Sequence, residues 1–203
     1  MINAPNVFVV DDDAAVRDSL RMMLKAAGYT AATFSGADEF LAACNSEATG
    51  CIILDVNMPG MDGPSLQEEL NRRGLRLPII FLTGQGSIPL SVRTMKAGAM
   101  DFFTKPVDGT ELLACVKQAL DKSLQLGRQA RNAQSIAARL ATLTKREKEV
   151  MMLIIAGLTN KEVAKRLSIS FRTVENHRAQ IMQKTGSSNT LELARIASSQ
   201  TSD

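Results

Sequence analysis

Five short apolar runs punctuate the first 120 or so residues: Val7 to Val10, Thr30 to Phe34, Cys51 to Leu54, Ile79 to Leu82 and Asp101 to Thr104. They are rich in β-branched and aromatic side chains, and segments of helical spacing separate them. Val16, Leu20, Met23, Leu24 and Ala27 keep a helical period until Gly28 stops it, and similar periods occupy 37–44, 64–73, 87–97 and 109–120. Runs that are apolar without alternation suit strands covered on both faces, so the pattern predicts a doubly wound, five-stranded parallel sheet of α/β class with helices on both sides.

The pattern changes after residue 122. Residues 123–139 are rich in Gln, Ala and Arg with one interrupting Gly127, which reads as a helical, partly flexible linker. Beyond it, 140–203 contains four short helical segments. Thr144 to Glu147 and Thr159 to Glu162 both have capping-box form, Ser170 precedes a third helix as an N-cap, and Gly157 and Gly186 fall where helices should stop. Val150, Leu153, Ile154, Val163, Leu167, Val174, Ile181, Leu191, Leu193 and Ile196 form the expected small core of this all-α domain.

Charge sharpens the division. The net charge of +3 conceals 11 Lys+Arg against 15 Asp+Glu in residues 1–122 and 13 against 6 in 123–203, so the two parts carry −4 and +7. A basic C-terminal part of this size suits an anionic partner, and nucleic acid is the usual one. No apolar stretch approaches the ~20 residues of a membrane span, and the N-terminus enters a strand without a signal-type segment, so a soluble cytoplasmic protein with no membrane partner is expected. Cys44, Cys51 and Cys115 show no zinc-type spacing and read as small buried, reduced side chains.

The ends of the strands carry the chemistry. Val7 to Val10 leads into Asp11, Asp12 and Asp13, Cys51 to Leu54 into Asp55, Ile79 to Leu82 into Thr83, and Phe102-Phe103 towards Lys105. Ligands of such sheets bind beyond the carboxyl ends of the strands, where these groups converge. Acid, acid, hydroxyl and ammonium together suit phosphoryl transfer. Asp55 would be the nucleophile, and Asp11 and Asp12 would bind Mg²⁺, with the Asn57 carbonyl brought towards the same cavity by the Met58-Pro59-Gly60 turn. Lys105 would pair with one phosphoryl oxygen and the Thr83 hydroxyl would donate to another. Asp13 reads as the N-cap of the following helix, and Asp38, Asp101 and Asp108 as surface or capping groups.

The segments V-V-D-D, L-D-x-x-M-P-G-M-D-G, T-G and K-A-G-A-x-x-F-x-x-K-P over residues 5 to about 122 resemble the receiver domain of bacterial response regulators, a flavodoxin-like fold. The resemblance implies a histidine kinase that donates a phosphoryl group to Asp55, with Mg²⁺ held by Asp11, Asp55 and the Asn57 backbone and assisted by Asp12. It also implies that Thr83 and Phe102 form a switch pair: the hydroxyl moves to meet the phosphoryl group and the ring turns inward. On the residues alone, Phe102 is a core aromatic. Gly84 fits the subgroup with a T-G-x-G turn, in which Gln85 would modulate hydrolysis of the acyl phosphate.

In the basic part, 158–164, 167–170 and 173–178 have helix, short turn, helix form. T-x-R-E (Thr144 to Glu147), G-L-x-N-K-E (Gly157 to Glu162) and T-V-x-x-H (Thr173 to His177) resemble the LuxR/FixJ/NarL-type DNA-binding domain, over about 140–197. On a helix beginning near Phe171, Val174, His177, Ile181 and Thr185 would face inward, and Arg172, Glu175, Asn176, Ala179 and Gln183 outward. Asn176 could pair with adenine and Glu175 could accept from cytosine N4. Lys161, Lys165, Arg172, Arg178 and Lys184 could neutralise phosphates, and Thr173 joins the candidate contacts. His177 lacks the partners of a metal site or general base and reads as structural. Phe171 departs from the polar or Pro residue common in the family at that helix start.

The expected whole is a two-component response regulator of FixJ/NarL type. Phosphorylation would favour a homodimer that places two recognition helices on promoter DNA and regulates transcription, activation and RNA polymerase contact being family analogies. Two alternatives are weighed. A Mg²⁺-dependent phosphatase with an aspartyl phosphate commonly has a second acid two residues after the nucleophile, where this chain has Asn57. A phosphorelay or interaction module would not need the basic helix-turn-helix.

Overall fold

The structure, a computed structural model, describes residues 7–45, 48–84 and 88–198. The chain divides into two compact units, 1–127 and 128–203, each with its own core.

In the first unit, strands β1 (Val7–Val10), β2 (Ala31–Phe34), β3 (Cys51–Asp55), β4 (Ile79–Thr83) and β5 (Asp101–Thr104) form one parallel sheet in the order β2-β1-β3-β4-β5. Helices α1 (Ala14–Ala26), α2 (Ala37–Ala43), α3 (Gly63–Arg72), α4 (Ile88–Lys96) and α5 (Gly109–Ala141) follow the successive strands. The unbroken apolar runs have a direct cause. In β3, Ile52 and Leu54 enter one core with Phe40, Leu66, Leu70 and Phe81, while Cys51 and Ile53 enter the opposite core with Leu20, Leu24, Leu112 and Val116. Both faces of the central strands are buried, so period-two alternation has no solvent face to mark.

The strand order reverses between β1 and β3, and the crevice outside their carboxyl ends is where Asp11 and Asp55 emerge. Close packing shapes this end of the sheet. The Gly63 N–H donates to the Val56 carbonyl at 2.9 Å. A Cβ on Gly63 would lie 2.3 Å from the Asp55 carbonyl oxygen and 3.0 Å from the Phe81 ring, so only glycine lets α3 start this near the acid.

One boundary differs from the sequence reading. The helical period expected to end near Leu120 continues without a break through Gly127 to Ala141, so residues 123–139 are helical throughout. A mid-helix glycine costs only about 1 kcal/mol, and the surrounding Leu, Gln, Ala and Arg are good helix formers.

In the second unit, the end of α5 joins α6 (Lys145–Ile155), α7 (Asn160–Leu167), α8 (Phe171–Thr185) and α9 (Thr190–Ser198). Thr144 and Thr159 make both halves of their capping boxes, and the Ser170 side chain accepts from the Thr173 N–H. Val150, Ile154, Val163, Val174, Ile181, Leu193 and Ile196 are buried together, with Leu153 and Leu167 packed at the edge. Leu191 departs from the expectation: it is 66% exposed. Leu193 and Ile196, three apart on α9, take the inward face, and a residue two positions from Leu193 lies on the other side of the helix. Leu140, Leu143 and Met151 fill the core instead.

Gly63→Ala is expected to destabilise the first unit by about 1–3 kcal/mol, the usual range for overpacking. Denaturant unfolding with the slope held in common would read the loss, and an unchanged midpoint would contradict the close approach.

Candidate functional site

The first site begins with two carboxylates that leave the sheet side by side. Asp11 is 1% exposed and Asp55 5% exposed. Lys105, which follows β5, donates from Nζ to Asp11 Oδ2 at 2.6 Å and to Asp55 Oδ1 at 2.7 Å. Its own backbone N–H donates to the Thr83 carbonyl at 2.6 Å, one step beyond the Thr83 and Thr104 pair of the sheet register. Sheet pairing therefore fixes the base of the lysine, and three strand ends meet at one ammonium.

The remaining carboxylate oxygens are also held. Asp55 Oδ2 accepts from the Asn57 N–H at 2.8 Å, and Asp11 Oδ1 accepts from the Asp13 N–H at 3.0 Å. Asp13 itself caps α1 by accepting from the Ala15 N–H at 2.8 Å, as its position suggested. Arg17 escaped the sequence reading: its guanidinium donates to the Asp11 carbonyl at 2.7 Å. Nothing in a separation of six residues signals that contact.

Burial pushes the Asp55 carboxyl above the ordinary carboxylate range, and the Asp11 charge adds to this, while hydrogen bonds and attraction from Lys105 oppose it. For Lys105, burial alone would lower the ammonium, but the hydrogen bonds to Asp11 and Asp55 outweigh it and hold the group above its usual value. The site is thus one cation against two acids.

Of the other expected members, Thr83 is fully buried at the end of β4. Phe102 is half-buried on β5, its ring centroid 6.2 Å from that of Phe81 and tilted by 38°. Asp12 and Asn57 are exposed at the rim. Among the described residues no three His, Cys, Asp or Glu side chains gather as a metal cage. Two hard oxygen ligands beside an open rim still fit Mg²⁺, which keeps several waters and takes only one or two carboxylates. Gln85 lies outside the described residues.

The second site is the helix pair α7 and α8, joined through Ser168 in the left-handed conformation (φ 53°), Ile169 and the Ser170 cap. Val174, Ile181 and Thr185 are fully buried and His177 is half-buried, so the inward stripe of α8 lies where its period put it. Arg172, Glu175, Asn176, Ala179 and Gln183 are exposed on α8, as are Lys161 and Lys165 on α7. Thr173 is half-buried, and its hydroxyl shares a 2.8 Å hydrogen bond with that of Ser170.

Two of the expected phosphate ligands have partners within the fold. Lys184 donates to both carboxylate oxygens of Glu147, at 2.8 and 2.7 Å, and Glu147 is only 5% exposed. Arg178 donates to Asn160 and Thr190. Sequence charge could not reveal this, because the partners lie on other helices.

Comparison with known proteins agrees with this geometry. Residues 7–117 match the response regulator receiver domain, and residues 141–197 match the luxR family of bacterial regulatory proteins. The transcriptional regulatory protein FixJ of Bradyrhizobium diazoefficiens is 41% identical over 97% of this chain and 96% of its own length. The transcriptional regulatory protein TdiR of Thauera aromatica is 42% identical over 94% of this chain and 84% of its own. Among solved structures, the response regulator StyR matches with a TM-score of 0.86 and 42% identity over 97% of this chain and 99% of that one. Full-length FixJ from B. japonicum matches with a TM-score of 0.59 and 40% identity over 98% of each.

The fold and the strand-end site therefore define a response regulator receiver. The chain belongs to the two-component response regulators of FixJ type, in which a receiver domain is followed by a LuxR-family DNA-binding domain, and it is a transcriptional regulator rather than an enzyme. A receiver implies a cognate histidine kinase, and receivers generally bind Mg²⁺ for phosphorylation. No helix among the described residues is long and apolar enough to cross a membrane.

Glu147 gives the second unit a pH signature. Hydrogen bonding from Lys184, then from the Thr144 N–H, holds its carboxyl below the ordinary 4.5. A depressed acid contributes stability that is complete above the unfolded value and is lost as pH falls through the lower folded value. Melting of the wild type is therefore expected to weaken below about pH 4.5 through this group. Glu147→Gln should lack that component and be less stable at neutral pH by about 1–2 kcal/mol. Identical acid-side profiles for both proteins would contradict the pair's role.

Proposed function

We propose that Asp55 accepts a phosphoryl group from a histidine kinase and that the modified receiver promotes dimerisation and promoter binding through α8. The observation that carries this reading is the single Lys105 ammonium placed against Asp55 Oδ1 and Asp11 Oδ2.

A carboxylate oxygen of Asp55 attacks phosphorus as the bond to the donor's imidazole nitrogen breaks, and the nitrogen keeps the electron pair. The Asn57 N–H and Lys105 hold the nucleophilic carboxylate in one orientation before transfer. Asp11, Asp55 and the Asn57 carbonyl would hold Mg²⁺, with Asp12 assisting from the rim. When bound, the ion offsets charge on the transferring group. Lys105 then pairs with a phosphoryl oxygen and the Thr83 hydroxyl donates to another. Thr83 and Phe102 act as a switch pair, the ring turning inward from its half-buried position as the hydroxyl moves.

On DNA, Arg172, Glu175, Asn176, Ala179 and Gln183 meet the base edges, with Thr173 at the entry of the helix, while Lys161 and Lys165 neutralise phosphates. The dimer presents two copies of α8 to neighbouring major grooves. The protein works in the cytoplasm, and its output is regulation, principally activation, of transcription by RNA polymerase.

Enrichment of genomic DNA fragments by the purified protein with Mg²⁺, with and without a small-molecule phosphodonor at fixed salt, tests the reading. Wild type should enrich specific fragments at least about tenfold better with the donor, a shift of about 1.4 kcal/mol. Asp55→Ala should show no donor dependence, and a variant that still responds fully would show that Asp55 is not the acceptor.

A further inference from the structure

We infer that Arg178 is a positioning residue of the DNA-binding unit, a clamp that fixes α7 against α8, and not a phosphate ligand. This rests on the reading of α8 as the DNA-contacting helix. From α8, Nη1 donates to Asn160 Oδ1 at 3.2 Å and Nη2 donates to Thr190 Oγ1 at 3.0 Å. Asn160 is the first residue of α7 and Thr190 the first of α9, so one planar fork ties together the starts of two helices. The far end of α7 is gripped in the same way. Arg146 of α6 donates from Nη2 to the carbonyl of Leu167, the last residue of α7, at 2.7 Å, while its Nη1 meets Glu149 at 2.6 Å.

The position of Arg178 on its helix agrees. Arg172, Glu175, Asn176, Ala179 and Gln183 are exposed, whereas Arg178 is half-buried at the border of the inward stripe formed by Val174, Ile181 and Thr185. A guanidinium that spans two acceptors on neighbouring helices holds a crossing angle, and a lysine has no fork with which to do so. The angle of α7 to α8 sets how the exposed side chains of α8 meet base edges. Specific binding should therefore suffer while the count of neutralised phosphates stays the same.

The test compares full-length wild type with Arg178→Ala, Arg178→Lys, the uncharged pair Asn160→Ala with Thr190→Val, and Lys165→Ala as a phosphate-type control. The probes are a duplex selected by the wild type from a randomised pool and a random-sequence duplex of equal length. For Arg178→Ala, Arg178→Lys and the uncharged pair, preference for the selected duplex should fall about tenfold, with the salt slope on the random duplex unchanged. Lys165→Ala should lower that slope by about 0.9. The proposal is overturned if Arg178→Ala lowers the slope in the same way and the uncharged pair behaves as wild type. Should Arg178→Ala fail to fold, Arg178→Lys decides, because full wild-type preference in that variant also overturns the clamp. Should the wild type itself show no preference between duplexes, sequence-specific binding by α8 fails instead. The clamp is then judged by melting: equal lowering in Arg178→Lys and the uncharged pair supports it, and no change in either overturns it.

Discussion

Everything at the carboxyl edge of the sheet depends on one ammonium between two buried acids. Burial, with the Asp11 charge beside it, pushes the Asp55 carboxyl above the ordinary carboxylate range, so keeping it ionised calls for compensation. Lys105 supplies that compensation through two short hydrogen bonds. The trio still has a net negative charge and lies at a rim where Asp12 and Asn57 reach solvent.

The sheet meets that requirement from a distance. Parallel pairing sets Asp55 beside Leu82 and Thr83 beside Thr104, and the Lys105 N–H continues the ladder onto the Thr83 carbonyl. Relative heights of the acid, the hydroxyl and the ammonium are thereby fixed by backbone hydrogen bonds, with two apolar cores locking the strands from either side. Thr83 and Phe102 occupy neighbouring strands of the same sheet, and the Phe102 ring leans on Phe81.

Much of this is legible in the sequence. Unbroken apolar runs gave the sheet, and acids directly after Val10 and Leu54 gave the pocket, because side-chain chemistry at a strand end is a local signal. Capping boxes at Thr144 and Thr159 were equally local and formed as expected. What escaped were contacts between elements. Arg17 reaching the Asp11 carbonyl, Lys184 turning to Glu147 and Arg178 bridging α7 and α9 leave no periodic trace. Composition counts a positive charge without showing where it is spent. Leu191 was misplaced for a related reason: over the short α9, an apolar side chain at 191 fits the composition of a core but not the face set by Leu193 and Ile196. The linker is helical as its composition implies, but it is one helix with the segment before it, because a mid-helix glycine such as Gly127 costs too little to break it.

The most direct test of the central claim is to locate the phosphoryl group itself. The protein would be treated with a small phosphodonor and Mg²⁺, any acyl phosphate reduced with borohydride, and the reduced residue mapped by peptide mass spectrometry. The account requires the mark on Asp55, and in Lys105→Ala, which leaves the acids without their ammonium, a mark that stays on Asp55 or vanishes. A mark on Asp11 or Asp12 in the wild type, or none on any carboxylate, would contradict it.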